Sequence, residues 1–176
     1  AVSRAGALAL LALLAAVAAI SQRRAQFDEA LRLYGDSQNA TVVETLNAYA
    51  ALFYDLYDSA QMVELGTQAL QIATALGLEY WVGRCYNVFA SAYYLSRDFE
   101  QALIYSQRAL ELNEKHSDQL AQIHTMNILT AIYANQGDYA ESRRWGEACI
   151  QLGETLGAHH VLAANLGNWG FLTAQL

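Results

Sequence analysis

The fold is decided by residues 86–105, which read YNVFASAYYLSRDFEQALIY. The pattern of this stretch returns forty residues later in residues 126–145, MNILTAIYANQGDYAESRRW. Three sets of matched positions share the period: Asn47, Asn87 and Asn127; Phe53, Tyr93 and Tyr133; Asp58, Asp98 and Asp138. A fixed period between about 20 and 50 residues is typical of stacked-repeat proteins. The period therefore predicts a solenoid, a fold class that usually serves binding.

The composition favours helices and argues against one class of partner. Of the 176 residues, 55% are hydrophobic, which is enough to bury a core as one uninterrupted array. Proline is absent, so few residues interrupt a helix, and an all-α protein is predicted. The net charge is −7, and an acidic protein lacks the attraction for phosphates on which nucleic-acid binding depends. We therefore expect no nucleic-acid partner.

The cysteines and the amino-terminal stretch are both interpreted as core. Cys85 and Cys149 stand far apart in apolar surroundings, which predicts buried thiols rather than metal ligands or a disulfide. Residues 5–20 carry no charge but form a short stretch for a membrane span. We expect a buried helix there, and a membrane anchor is the minor alternative.

Apolar residues recur at three- and four-residue spacing within each unit, as they do in amphipathic helices. Each of the three aspartates is followed three residues later by Gln or Glu, a capping-box pattern that predicts a helix start, and Thr41 with Glu44 has the same pattern. The second helices run out near Gly77, His116 or Gly157. About nine helices are predicted: 5–22, 26–37, 42–57, 59–76, 79–96, 99–115, 118–136, 139–156 and 160–175.

Small residues recur at one place in each type of helix. They are Ala50, Ala90, Thr130 and Gly170 in the first helix of the units, and Ala69, Ala109 and Cys149 in the second. A large side chain would overpack where two helices approach closely. These positions therefore predict the lines along which the helices touch.

The first helix of each unit resembles that of the tetratricopeptide repeat family, with large, large, small and aromatic residues at spacings of three, one and three. The sets are Leu46, Tyr49, Ala50 and Phe53; Tyr86, Phe89, Ala90 and Tyr93; Met126, Leu129, Thr130 and Tyr133. The turn and second helix are also similar, as in Asp98, Phe99, Ala102 and Ala109. The resemblance implies an α-solenoid of antiparallel helix hairpins in a right-handed superhelix.

The resemblance implies one array over residues 1–176. Its expected parts are a degenerate repeat at 1–40, full repeats at 41–78, 79–117 and 118–157, and the first helix of a further repeat at 158–176. The forty-residue unit is longer than the family's common unit of about 34 residues. Such long units resemble the repeat domains of bacterial signalling and transcription regulators, which implies a sensory or docking region of a larger cytoplasmic protein.

The family's ligands generally lie on the concave face, which the first helices line. The expected binding residues are Asn47, Tyr54, Arg84, Asn87, Ser91, Tyr94, His124, Asn127 and Asn135. Two interpretations of the asparagines stay open, because their amides either bind a partner's backbone or hold neighbouring helices together. Arg84 and His124 either receive an anionic ligand group or are simply solvated.

No phosphate-binding loop, nucleophile elbow or metal-ligand spacing appears in the sequence, so an enzyme, a metal site and a cofactor are not expected. The predicted partner is a protein or peptide; a small-molecule sensor and an oligomerising scaffold are the alternatives. Trp169, Phe171 and Leu172 form an apolar end face near the last residue, where solenoids need a cover. A homodimer through this terminal helix is one way to cover it.

Overall fold

The computed structural model describes residues 18, 21–29 and 39–157, and each regular element among them is an α-helix. Residues 21–29 are helical and form α1. Six longer helices follow: α2 Ala40–Asp55, α3 Ser59–Ala75, α4 Glu79–Leu95, α5 Phe99–Lys115, α6 Gln119–Gln136 and α7 Tyr139–Thr155. The all-α prediction is confirmed, and the six helices lie within two residues of the predicted bounds.

The described residues contain seven helices rather than the nine predicted. The predicted helix at 160–175 lies outside the described residues, and the one at 5–22 lies almost wholly outside them. The break predicted between residues 22 and 26 is wrong, because α1 runs through it. Phe27 in α1 stacks on Tyr49 with ring centroids 5.1 Å apart, and the Tyr49 hydroxyl donates to Asp28 at 2.7 Å. This segment therefore packs against α2 as a single piece of helix.

From α2 to α7, each helix packs against the next one, and the pairs form three hairpins: α2 with α3, α4 with α5, and α6 with α7. Across the hairpins, α2 contacts α4 and α4 contacts α6, whereas α3 makes no contact with α5, nor α5 with α7, within this part of the chain. The first helices are thus closer together than the second helices. A stack with one tighter edge curves toward that edge, so α2, α4 and α6 form the inner wall.

The helices end at left-handed residues spaced twenty apart along the chain. Positive φ angles occur at Tyr57, Gly77, Arg97, Ser117, Gly137 and Gly157. In the first five of these turns, the next residue donates its amide to the carbonyl five residues back, as Asp98 does to Tyr93 at 2.9 Å. This bond satisfies a carbonyl that the helix end would otherwise leave without a partner. The forty-residue unit is therefore two half-units with the same terminator.

The aspartates that follow these turns start the next helix. The side chains of Asp58, Asp98 and Asp138 accept from the amides three residues later at 3.1 to 3.2 Å, as the sequence predicted. The amides of these aspartates bond to the preceding helix, so the reciprocal half of the capping box is replaced by the turn bond. The capping box predicted at Thr41 is wrong, because Asn39 caps α2 by accepting from Val42.

The small positions lie where the sequence placed the helix contacts. Ala50, Ala90 and Thr130 on the inner helices and Ala69, Ala109 and Cys149 on the outer ones are all 0% exposed. Gly83 serves the same purpose between α4 and α5, since a Cβ there would meet Asn113 Oδ1 at 2.8 Å. The helices can approach closely because the residues along these contact lines have small side chains or none. Close approach in turn fixes how far the inner wall curves.

In the described residues, no helix combines the length and the apolar character that crossing a membrane requires. The stretch at 5–20, for which a membrane anchor was the minor alternative, falls outside those residues except at position 18.

We predict that Ser117→Gly stabilises the protein by about 1 kcal/mol, because a left-handed φ is unfavourable for any residue with a Cβ. Ser96→Gly makes the same chemical change at a φ of −76°, where the backbone of serine is not strained. Glycine there relieves no strain and only increases the entropy of the unfolded chain, which lowers stability. Urea unfolding followed by circular dichroism measures both. A Ser117→Gly protein that is no more stable than Ser96→Gly would show that these turns carry no strain.

Candidate groove on the inner wall

A groove of about 470 Å³ lies on the inner wall where α2, α4 and α6 face one another. Its lining is Glu44, Asn47, Ala48, Ala51, Tyr54, Met62, Trp81, Arg84, Asn87, Val88, Ser91, Leu120, Ala121 and His124. The lining residues of α2, from Glu44 to Tyr54, lie on successive turns of the helix. They share one face because an α-helix has 3.6 residues per turn, and this face lines the groove. The lining thus brings together six of the nine residues that the sequence proposed: Asn47, Tyr54, Arg84, Asn87, Ser91 and His124.

The surface that a ligand would meet is mostly apolar. On α2, Ala48 and Ala51 are exposed and leave open space above the helix backbone. On α6, Leu120 is 57% exposed, an unusual degree for a large aliphatic side chain inside a concave face. Trp81 is half-buried on α4 between them. Concave sites with apolar walls and a few polar groups are the usual form of binding pockets.

Arg84 is held by a carboxylate of its own fold. Its Nε lies 2.7 Å from Asp118 Oδ2 and its second nitrogen 3.2 Å from Oδ1, while the guanidinium lies over the ring of Tyr80. Burial by itself would raise the pKa of Asp118, but the bonds from Arg84 and from the Ala121 amide outweigh it and lower that pKa. The pair joins α4 to the start of α6. Arg84 is therefore neither a free anion site nor simply solvated, the two interpretations left open by the sequence.

His124 is the second basic side chain of the groove. Its Nε2 lies 3.1 Å from the Ser91 hydroxyl, and that hydroxyl donates to the carbonyl of Asn87 at 3.0 Å. Confinement among protein atoms lowers the pKa of His124, and the positive charge of Arg84 lowers it further. His124 is therefore neutral at pH 7 although its ring can be reached from the open side of the groove.

The Asn87 amide holds adjacent inner helices together. Its Oδ1 accepts from the Thr125 hydroxyl at 2.6 Å, and its Nδ2 donates to the Ala121 carbonyl at 3.4 Å. Thr125 also receives a bond from the amide of Asn113 on α5, at 3.3 Å. Asn87 is buried at 6% exposure, so these bonds satisfy polar groups that water cannot reach. The structural interpretation of this asparagine therefore describes it better than the ligand-binding one.

The Asn47 amide meets the matching residue one repeat earlier, but through its nitrogen. Nδ2 lies 3.5 Å from the sulfur of Cys85, which occupies in α4 the place that Thr125 occupies in α6, forty residues on, and the Asn47 Oδ1 is buried without a hydrogen-bond partner among the described residues. Burial raises the pKa of the Cys85 thiol to about 11, so the thiol stays protonated. Cys85 and Cys149 are both buried, as the sequence predicted.

The other proposed residues lie outside the groove. Tyr94 and Asn135 meet further along the inner wall, where the Asn135 amide lies 3.5 Å from the Tyr94 hydroxyl. Asn127 is half-buried, and its Oδ1 lies 3.7 Å from the sulfur of Cys149 on α7. The proposed end face of Trp169, Phe171 and Leu172 falls outside the described residues.

Sequence reasoning missed the apolar part of the lining. Trp81 and Leu120 were not among the residues proposed for the groove, because neither position repeats one kind of side chain at the forty-residue spacing: Thr41 and Ala121 flank Trp81 in the register, and Tyr80 and His160 flank Leu120. Met62 belongs to α3, an outer helix, yet it reaches the groove floor. Asp118 was assigned only as a helix start. The sequence did contain one signal for the ion pair with Arg84, the charge of Asp118 one residue before α6. An aspartate at a helix start can pair with a nearby arginine as well as cap the helix.

The described residues contain no group of three or more His, Cys, Asp or Glu side chains that could hold a metal ion.

The fold and the groove are those of an α-solenoid with a concave face. The family model described as tetratricopeptide repeat matches residues 82–118 and 123–162 of the chain. These two segments are tetratricopeptide repeats, which confirms the resemblance inferred from the sequence. Repeats of this family generally mediate protein–protein interaction and are not themselves enzymes. No curated protein matches the chain.

We predict that Thr125→Val destabilises the protein by about 1–3 kcal/mol, because the side-chain Oδ1 of Asn87 would lose the Thr125 hydroxyl as its donor and stay buried. Thr130→Val is the matched control: Thr130 is equally buried, but its hydroxyl bonds only to the Met126 carbonyl of its own helix. Urea unfolding of both variants gives the difference. Equal losses would mean that the bond between the inner helices contributes nothing beyond burial.

We predict that stability falls as the pH is lowered from 7 to 5, and that His124→Gln reduces this loss. The pKa of His124 is lower in the folded state than its ordinary value of about 6.5, so the unfolded chain binds more protons between the two values. The contribution is fully present above the unfolded pKa and is lost as the pH falls toward the folded one. If the unfolding free energies of wild type and His124→Gln fall by the same amount between pH 7 and pH 5, the lowered pKa of His124 is contradicted.

Proposed function

We propose that this chain is a protein-interaction module that holds an extended or helical segment of a partner in the groove between α2, α4 and α6. The observation that carries the proposal is the continuous lining by three successive inner helices, with exposed apolar side chains at its centre. A surface of this kind gains free energy by removing apolar area from water. The family's general role in protein–protein interaction supports the same conclusion.

The wider context is proposed from the sequence resemblance. The array comprises full repeats at 41–78, 79–117 and 118–157 between a degenerate first repeat and a partial last one. It acts as a docking or sensory region of a larger bacterial regulatory protein in the cytoplasm. Groove contacts come from Tyr54, Ser91 and His124, with Trp81 and Leu120 added by the structure. Dimerisation through Trp169, Phe171 and Leu172 belongs to the same proposal.

A small-molecule sensor is the second candidate, because a volume of about 470 Å³ lies within the usual range of ligand pockets. The engaged polar groups weigh against it. Arg84 is bonded to Asp118 and Asn87 to Thr125, so few free donors and acceptors point into the groove to orient a polar metabolite. Apolar side chains of a partner segment match the lining better.

A thermal-shift comparison separates the two candidates, because a bound ligand raises apparent stability by mass action. We expect a shift with a selected peptide and none with a metabolite library. A shift with a metabolite that also displaces the peptide would favour the sensor.

We predict that Ala51→Gln weakens the binding of peptides selected from a random displayed library by roughly tenfold, because the longer side chain fills the groove. Ala75→Gln is the control, since Ala75 is exposed at the end of α3 and does not line the groove. Fluorescence anisotropy with the labelled peptide measures both. If the two variants bind the peptide equally well, the partner is held elsewhere.

A further inference from the structure

The charge balance of the groove indicates which segments it can accept. Glu44 is exposed at its rim and forms no ion pair with any residue of the described part of the chain. Arg84, the one arginine among the described lining residues, is already bonded to Asp118, and His124 is neutral at pH 7. The free charge that these described residues present to a ligand is therefore negative. The whole chain adds to this field, because its net charge is −7.

The other end of the same wall carries an aromatic face. Tyr54 is 38% exposed in the groove, and no arginine of the described residues lies over its ring. Asp55 follows it at the end of α2, where the helix dipole is negative. A partner cation is attracted to the face of a tyrosine ring, and more so where a carboxylate and a helix end add negative potential. Tyr54 thus offers a second place for a positive charge.

Between these two places the wall is apolar. Glu44 and Tyr54 are ten residues apart on α2, so about 15 Å of helix separates them. Ala48 and Ala51 lie between them on α2, and Trp81 and Leu120 line the groove from the first turns of α4 and α6. An extended chain covers that distance in about five residues, since each residue spans about 3.3 Å.

We propose that the partner is a segment of a different protein in which apolar residues are flanked by lysine or arginine. One cation pairs with Glu44, the other lies against Tyr54, and the apolar residues of the segment pack on Ala48 and Ala51 and on the neighbouring Trp81 and Leu120. This inference rests on the proposed function and specifies the partner chemistry of the same groove.

Two other occupants fit the groove less well. An acidic segment would bring carboxylates beside Glu44 and would find Arg84 already bonded to Asp118, so it would meet repulsion without a compensating cation. A second copy of this chain would bring its own excess of acidic residues, with 17 Asp and Glu against 10 Lys and Arg. Like charge opposes seating that copy in the groove beside Glu44.

Peptides selected from the random displayed library test the proposal through their composition. We expect enrichment of lysine or arginine on both sides of apolar residues, at a separation of about five positions. Enriched peptides that are acidic or uncharged, yet lose binding in Ala51→Gln, would overturn this inference and leave the proposed function standing. If no peptide depends on the groove at all, both the proposed function and this inference are wrong.

Substitutions then locate the two cations. Glu44→Gln should weaken the best basic peptide roughly two- to fivefold at low salt, and added salt should remove the difference. Glu111→Gln on the exposed face of α5 is the control and should leave the affinity unchanged. Tyr54→Phe keeps the ring and should bind like wild type, whereas Tyr54→Leu should weaken binding by a similar factor. Equal affinities for Glu44→Gln and Glu111→Gln would overturn the assignment of Glu44.

Discussion

The structure depends on one local constraint, a left-handed residue at every twentieth position from Tyr57 to Gly157. At the first five of these positions the next amide bonds back across the helix end, which closes one helix and fixes the direction in which the chain leaves it. At Asp58, Asp98 and Asp138 the same residue caps the following helix. Because helix end and helix start share one residue, all hairpins have the same short turn. Identical turns are the condition for stacking the hairpins in register.

The second level of organisation is the contact between successive inner helices. Small residues let these helices approach, and the asparagines at Asn47 and Asn87 then bridge them through Cys85 and Thr125. The outer helices make no such contact across the described hairpins, so the stack curves. The groove is a consequence of that curvature. Its polar groups are largely engaged in holding the inner wall together, which leaves apolar side chains and the Glu44 carboxylate exposed on it.

The same bonds explain how the inner wall can be exposed on one side while its helices keep fixed positions relative to each other. Arg84 and Asp118 tie α4 to the start of α6 at one end of the groove, and Ser91 and His124 meet further along it. Polar groups buried between neighbouring helices are stabilising when each has a hydrogen-bond partner. A repeat protein distributes this kind of interaction between neighbours rather than into one central core. The shape of the concave face therefore follows from the interfaces that each repeat makes with the next.

The sequence by itself determined the period, the class, the bounds of the six longer helices and the small contact positions, because helix periodicity, capping and turn chemistry are local. The aspartate caps at Asp58, Asp98 and Asp138 were predicted for this reason. The tertiary structure alone decided which asparagine bonds were internal, that Arg84 was taken by Asp118, and that Trp81 and Leu120 lined the groove. Arg84 and Asp118 stand 34 residues apart, and only the packing of one repeat on the next brings them within 2.7 Å. Contacts between repeats depend on curvature, which no local pattern encodes.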